Sequence, residues 1–267
     1  MEGNKNIEIQ HPEAWELLVS IGDKHVDYML YTPTVPNSLI VGDVAWSDGT
    51  LQGLEDAIYD TPVLLGDYRR VRLLVDSRHF VLFPDNTDDD DCIALLHHAF
   101  PADDGDAAVC ALALNGVKIA YLMPKGMQAF LGRTFNYPMS SHHLAPLCEH
   151  LKGQDDGVSG MFLNLQADRM DLVIYRDGAL QCANSYPYTN VEDATYYALS
   201  AGRAHGLDQM EDELQIMGVG EMCAAMTPEL RKYVKQVMPA VFPAPAMQLG
   251  RNAVQAPMNL LMLALCE

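Results

Sequence analysis

The sequence predicts an α/β protein built from two copies of one mixed-sheet lobe. Three observations carry this expectation. A stretch of 15 residues occurs twice without a gap: 17–31 reads LLVSIGDKHVDYMLY and 161–175 reads MFLNLQADRMDLVIY, 144 positions on (161 − 17). Within it Ser20 meets Asn164, Asp27 meets Asp171 and Tyr31 meets Tyr175. Each copy is an apolar run interrupted by a short polar turn, the pattern of two strands in a hairpin. Further apolar runs follow each copy and alternate with helical segments, so the later strands run parallel to the first while the opening strands are antiparallel.

The first half reads as follows. Strands at 16–21 and 26–32 flank a turn at Gly22-Asp23-Lys24, and 38–44 is a third, edge strand, where the nearby Pro33 and Pro36 are tolerated. Thr50 caps a helix that reaches Tyr59 and stops before Pro62. Strands at 71–76 and 79–83 end at Pro84. The acidic run 88–91 opens a helix in which Ile93, Leu96, His97 and Phe100 follow helical spacing; aspartates there are favoured by the unpaired N–H groups of the first turn. Strands at 107–114 and 117–123 form a hairpin around Asn115-Gly116. A helix follows at 125–133, and Ser140-Ser141 caps another carrying Leu144, Leu147, Cys148 and Leu151 on one face. His142, His143 and His150 read as surface histidines rather than metal ligands, since no second ligand cluster accompanies them.

The stretch 153–157, GQDDG, is the best linker and divides the chain into lobes 1–153 and 154–267. The second half repeats the plan: strands at 161–165, 170–175 and 179–186, a helix at 191–204 capped by Thr189-Asn190, and a strand at 214–217 ending in Gly218-Val219-Gly220. Thr227-Pro228 reads as a helix start, with an apolar stripe of Leu230, Tyr233, Val234 and Val237. A fainter echo pairs LEDAIY at 54–59 with VEDATY at 191–196.

The chain of 267 residues is 49% hydrophobic, enough for a sizeable core. Its formal charge of −19, from 17 basic and 36 acidic residues, argues against nucleic acid as a partner. Six cysteines form no CxxC pair and sit mostly in apolar runs, as small buried hydrophobes of a reducing compartment do. The start of the chain lacks a signal core, and the apolar stretch 258–266 is far short of the roughly 20 residues a bilayer requires. A cytoplasmic protein without membrane insertion is expected.

The duplicated plan resembles the actin-like ATPase superfamily, with its tandem ribonuclease-H-like lobes, and within it an uncharacterised bacterial family of unknown function. The resemblance implies that the first turn of each lobe meets nucleotide phosphates in the cleft between lobes. It places Ser20, Gly22 and Asp23 at the first phosphate turn, Asn164, Gln166 and Asp168 at the second, and Gly218 and Gly220 on the adenosine side. Active members carry an acid where this chain has Ser20 and Asn164, and glycines near Gln166. Neutral side chains hold magnesium poorly, and a turn without glycines keeps backbone N–H groups away from phosphate. The expectation is therefore a degenerate pseudo-ATPase that serves as a scaffold for a protein partner, with no assigned catalytic residue or metal ligand. The alternatives are an ATPase or small-molecule kinase recruiting Asp23 or Asp168, with ATP and magnesium as cofactors, and a nucleotide sensor without turnover. No GxSxG, GxxxxGK[ST] or HExxH motif is present.

Overall fold

The computed structural model describes residues 7, 9–46, 49–152, 159–166, 169–218 and 220–266. Two compact units emerge: Met1–Pro146 together with Pro243–Glu267, and Leu147–Phe242. The expected linker at 153–157 lies outside the described residues.

In the first unit, β1 (Glu16–Ile21) and β2 (His25–Tyr31) form the expected hairpin, with Ser20 opposite Asp27 and Glu16 opposite Tyr31. The third strand, β3 (Ile40–Ala45), pairs antiparallel with β2 at the sheet edge. Helix α1 (Leu51–Tyr59) starts where Thr50 accepts a hydrogen bond from the Gly53 amide at 3.1 Å. β4 (Arg70–Val75) then lies parallel to β1. Every residue of β1 is buried, the polar Glu16 and Ser20 included, as expected of a central strand with both faces covered.

An insertion follows: β5 (Phe80–Pro84), α2 (Asp89–Ala99), β6 (Asp106–Leu112) and β7 (Val117–Met123). Its strands make a separate sheet of order β5-β7-β6, and Cys92 and Leu96 of α2 pack against Phe83, Ala120 and Leu122 of that sheet. The acidic run is the start of α2, with Asp88 as its cap.

Helix α3 (Met127–Thr134) leads to β8 (Met139–His142), which extends the main sheet to the order β3-β2-β1-β4-β8. Ser140 and Ser141 were expected to cap a helix; they sit instead in β8, opposite Leu73 and Leu74. The parallel edge beside β4 takes them as strand residues, and the helix α4 (Ala145–Lys152) starts later.

The second unit repeats the sheet. β9 (Gly160–Leu165), β10 (Arg169–Arg176) and β11 (Ala179–Pro187) are antiparallel, with Asn164 opposite Asp171. Helix α5 (Val191–Ala204) is followed by β12 (Glu213–Gly218), parallel to β9, then α6 (Gly220–Leu230) and β13 (Gln236–Pro239). The order β11-β10-β9-β12-β13 matches the main sheet of the first unit strand for strand. One expectation fails here. Pro228 does not open a helix but lies inside α6, and Val237 belongs to β13, opposite Leu214. Leu230, Val234 and Val237 are buried as the stripe required, while Tyr233 is exposed. Burial was legible there; the element type was not, because pairing with β12 decides it.

The chain then returns to the first unit through α7 (Ala246–Leu249) and α8 (Met258–Leu265). A split at 153/154 with the second lobe running to 267 does not anticipate that return. α8 lies against β1, with Leu260, Leu261 and Met262 buried. Arg72, itself buried, donates to the carbonyl oxygens of Leu263 (2.6 Å) and Cys266 (3.1 Å).

Candidate functional site

The candidate residues fall at equivalent places in the two units. In each hairpin the first turn residue donates back to the strand: the Gly22 amide to the His25 carbonyl (2.9 Å) and the Gln166 amide to the Arg169 carbonyl (2.8 Å). The two donors are 144 positions apart (166 − 22), so the gapless repeat extends to the turn geometry. Ser20, Gly22 and Asp23 thus come together in the first unit, and Asn164, Gln166, Gly218 and Gly220 in the second. Asp168 lies outside the described residues.

Ser20 is buried on the same face of β1 as Glu16, two alternations away. Its hydroxyl accepts a hydrogen bond from Asn259 Nδ2 of α8 at 2.9 Å. Asn164 is equally buried, and its Nδ2 donates to Asp171 Oδ2 at 3.3 Å. Asp171 is held in turn by the Ser185 hydroxyl (2.5 Å) and by Arg169 Nε (3.3 Å). Both positions therefore carry neutral side chains already engaged inside their own unit.

Asp23 points out into solvent and pairs with Arg78 at 3.2 Å. Gly22 packs against the His25 ring, where an added Cβ would lie 2.7 Å from Cε1. Gly218 has a φ of +127°, and an added Cβ would collide with the Leu165 backbone opposite it in the parallel pair. Its identity follows from that close approach alone. Gly220 is the first residue of α6. A cavity of about 450 Å³ in this unit lies at the other end of β12, around Glu213 and Leu214, away from Gly218.

The structure also gathers residues that the sequence left unconnected. At the carboxyl ends of β1 and β4, the Asp76 amide donates to the Ile21 carbonyl (2.9 Å) and its carboxylate lies 3.4 Å from His143 Nδ1. His142 Nε2 lies 3.0 Å from the Ser77 carbonyl oxygen. His142 and His143 are buried, not on the surface as expected. The cause is tertiary: β8 ends under the insertion, where Phe80 and Tyr121 cover His142 at ring separations of 4.4 and 5.4 Å. No local signal separates such a pair from exposed histidines. Among the described residues, no three His, Cys, Asp or Glu side chains converge as metal ligands would. Nor is any described helix long and apolar enough to cross a membrane.

Known structures share this architecture. A Bacteroides thetaiotaomicron protein with an actin-like ATPase fold and unknown function superposes with a TM-score of 0.80 at 21% identity, over 98% of this chain and 100% of its own. A chain of the PilM–PilN type IV pilus biogenesis complex superposes with a TM-score of 0.58 at 12% identity, over 96% of this chain and 100% of its own. Among curated proteins, none matches the sequence. The family of proteins of unknown function DUF3822 matches residues 4–237. With the duplicated sheets, that match and the first superposition give the conclusion: the chain belongs to the DUF3822 family and has the actin-like ATPase fold.

Proposed function

We propose that this protein is a degenerate member of its fold that works as a protein-interaction scaffold rather than as an ATPase. The observation that carries the reading is the state of positions 20 and 164. A phosphoryl-transfer site needs carboxylates free to hold magnesium and fixed donors aimed at the phosphates. Here Ser20 is bound to Asn259 and Asn164 to Asp171, both out of solvent. The amides of Gly22 and Gln166 close their own hairpins. Asp23, the acid available to replace the missing charge in the first unit, is held by Arg78. The glycine at 218 is required by Leu165 and needs no adenosine to explain it. The residues present do not fit magnesium-ATP.

Support for a protein partner comes from the neighbour solved as a PilM–PilN complex, which on this chain is an analogy of fold. Six cysteines, with no disulfide among the described residues, and a formal charge of −19 support a cytoplasmic setting. Isothermal titration with magnesium-ATP, together with a phosphate-release assay, tests the reading. Neither saturable heat nor phosphate is expected; micromolar binding with turnover, abolished by Asp23→Ala, would replace the scaffold with the enzyme.

A further inference from the structure

The insertion in the first unit carries a three-stranded sheet whose two outer strands, β5 and β6, each pair on one side only among the described residues. In the sheet of order β5-β7-β6, the strand β6 pairs only with β7 among the described residues. Its outer edge forms the floor of a groove of about 720 Å³ lined by Ala107, Ala108 and Val109; Ala107 and Val109 also pack against the core beneath α2, and Ala108 lies on the other face of the strand. Helix α2 makes one wall, α3 and the approach to β8 the other. Alanines at the floor leave room beside the backbone, and unpaired N–H and C=O groups on a strand edge are a template for another strand.

We propose that this edge docks an extended segment of a partner protein, added as a strand to β6, with alternating apolar side chains and at least one carboxylate. The proposal rests on the scaffold reading and names the partner's chemistry. Three features of the groove select that occupant. Tyr121 is 0% exposed and lines the groove, and its hydroxyl has no hydrogen-bond partner among the described residues. A buried donor of this kind is normally satisfied, and a carbonyl or carboxylate laid along β6 satisfies it. The charge is the second feature. The groove's own acid, Asp89, is neutralised by Lys118 at 2.7 Å, whereas the exposed Arg133 has no ionic partner among the described residues. A second cavity of about 400 Å³ shares Tyr137 and Pro138 with the groove and is lined by Arg69, Arg70 and one acid, Asp67; Arg70 lies 4.0 Å from Glu16, while Arg69 has no ionic partner among the described residues. In a chain with 36 acidic and 17 basic residues, two such arginines along one path favour a carboxylate there. Third, Tyr137 stands 87% exposed where the cavities meet, held by two successive left-handed residues, Asn136 (φ 52°) and Tyr137 (φ 56°). An aromatic ring fixed in that way is a ready apolar anchor. A helix would fit poorly, since its backbone donors are already used and cannot pair with β6.

The test selects a displayed library of random linear nonapeptides on the intact chain and measures the winners by fluorescence anisotropy. Winners are expected to alternate apolar residues and to contain Asp or Glu. Methylating every second backbone amide should remove binding in one register and spare it in the other, because only alternate amides of an added strand face β6. Ala129→Trp, on the exposed face of α3 lining the groove, should abolish binding, Arg133→Glu should weaken it about tenfold, and Tyr121→Phe should weaken it less. If Ala129→Trp alters the circular dichroism spectrum, the exposed Arg133→Glu variant carries the test. Winners with helical i, i+3, i+4 spacing, basic winners, no winner at all, or wild-type binding by both groove variants would each overturn the proposal. So would a dimer in sedimentation that Ala129→Trp dissociates, since a second copy would then cover the groove. Magnesium-ATP turnover would remove the scaffold reading while leaving the anisotropy result to stand or fall by itself.

Discussion

Arg72 shows how much one side chain can join. It lies on β4 beside Glu16, with Nη2 3.4 Å from the Glu16 carboxylate and 3.0 Å from the Tyr31 hydroxyl, while Nη1 serves the last carbonyls of α8. A cation at a helix C-terminus is favoured by the carbonyl dipoles there. Burial pushes the Tyr31 hydroxyl up to about 12, against the opposing pull of Arg72, so it stays protonated and donates to Glu16 at 3.0 Å. Arg72→Met strands the buried Glu16 and should cost about 3–5 kcal/mol in denaturant unfolding. The double variant Glu16→Leu with Arg72→Met should lose less than the two single variants added together, and a loss equal to that sum would show that the pair is not coupled. Asn164 gives a second expectation at this scale. Asn164→Asp sets a buried carboxylate beside Asp171, which Asn164 now meets at 3.3 Å. Two carboxylates so close cannot both ionise cheaply, so the new group's proton is held to higher pH than in the unfolded chain. A folded-state value raised above the unfolded one gives stability present at acid pH and lost as pH rises. The variant should therefore be least stable near neutrality, by about 3 kcal/mol, and recover toward pH 4; a pH-independent deficit would contradict the argument.

Among the elements, α5 and α1 explain why the sequence echo was only partly informative. Aligned by letters, 54–59 matches 191–196; aligned by caps, Thr50 matches Asn190, which pairs Leu54 with Ala194 and Ile58 with Ala198 (an offset of 140 each). All four of those side chains are buried, so the cap and not the letters sets the equivalence. The start of α5 is a reciprocal box: Asn190 accepts from the Asp193 amide at 2.7 Å, and Asp193 accepts from the Thr189 hydroxyl (2.6 Å) and amide (3.2 Å). The Thr189 hydroxyl, first, and its amide hold the Asp193 carboxyl below the usual range. Asn190→Ala should lower stability by about 1 kcal/mol, read from the urea midpoint at constant slope. In α6, Pro228 is tolerated in the last turn, where the Thr227 hydroxyl donates to the Cys223 carbonyl at 2.7 Å. A proline near a helix end carries the same local signal whether it opens a new helix or closes the old one.

For the whole molecule, the return of 243–267 to the first unit ties the end of the chain to its beginning. α8 covers the face of β1 that carries Ser20 and supplies Asn259. Truncation after Phe242 removes the buried Leu260, Leu261 and Met262, each worth about 1.5–3 kcal/mol of burial, and leaves Arg72 without its carbonyl partners. The truncated chain should lose the cooperative transition of its first unit in calorimetry and bind a hydrophobic dye; an unchanged melting profile would mean that α8 is an accessory. Ser20 and Asn164 were legible as neutral residues at equivalent places, because the offset of 144 aligns them without structure. Their hydrogen bonds were not, since Asn259 is 239 residues from Ser20 in sequence.

The duplication, the hairpins and the helices whose caps and spacing are local were legible in the amino-acid sequence alone. Strand alternation and turn chemistry act over a few residues, so a linear reading recovers them. Tertiary contacts alone made β8 a strand, buried His142 and His143, placed Val237 in a sheet, and left β6 paired on one side only among the described residues. Each of those depends on which distant segment lies alongside, and the free energy that settles it comes from contacts such as Arg72 with Leu263, 191 residues apart, to which no local pattern points.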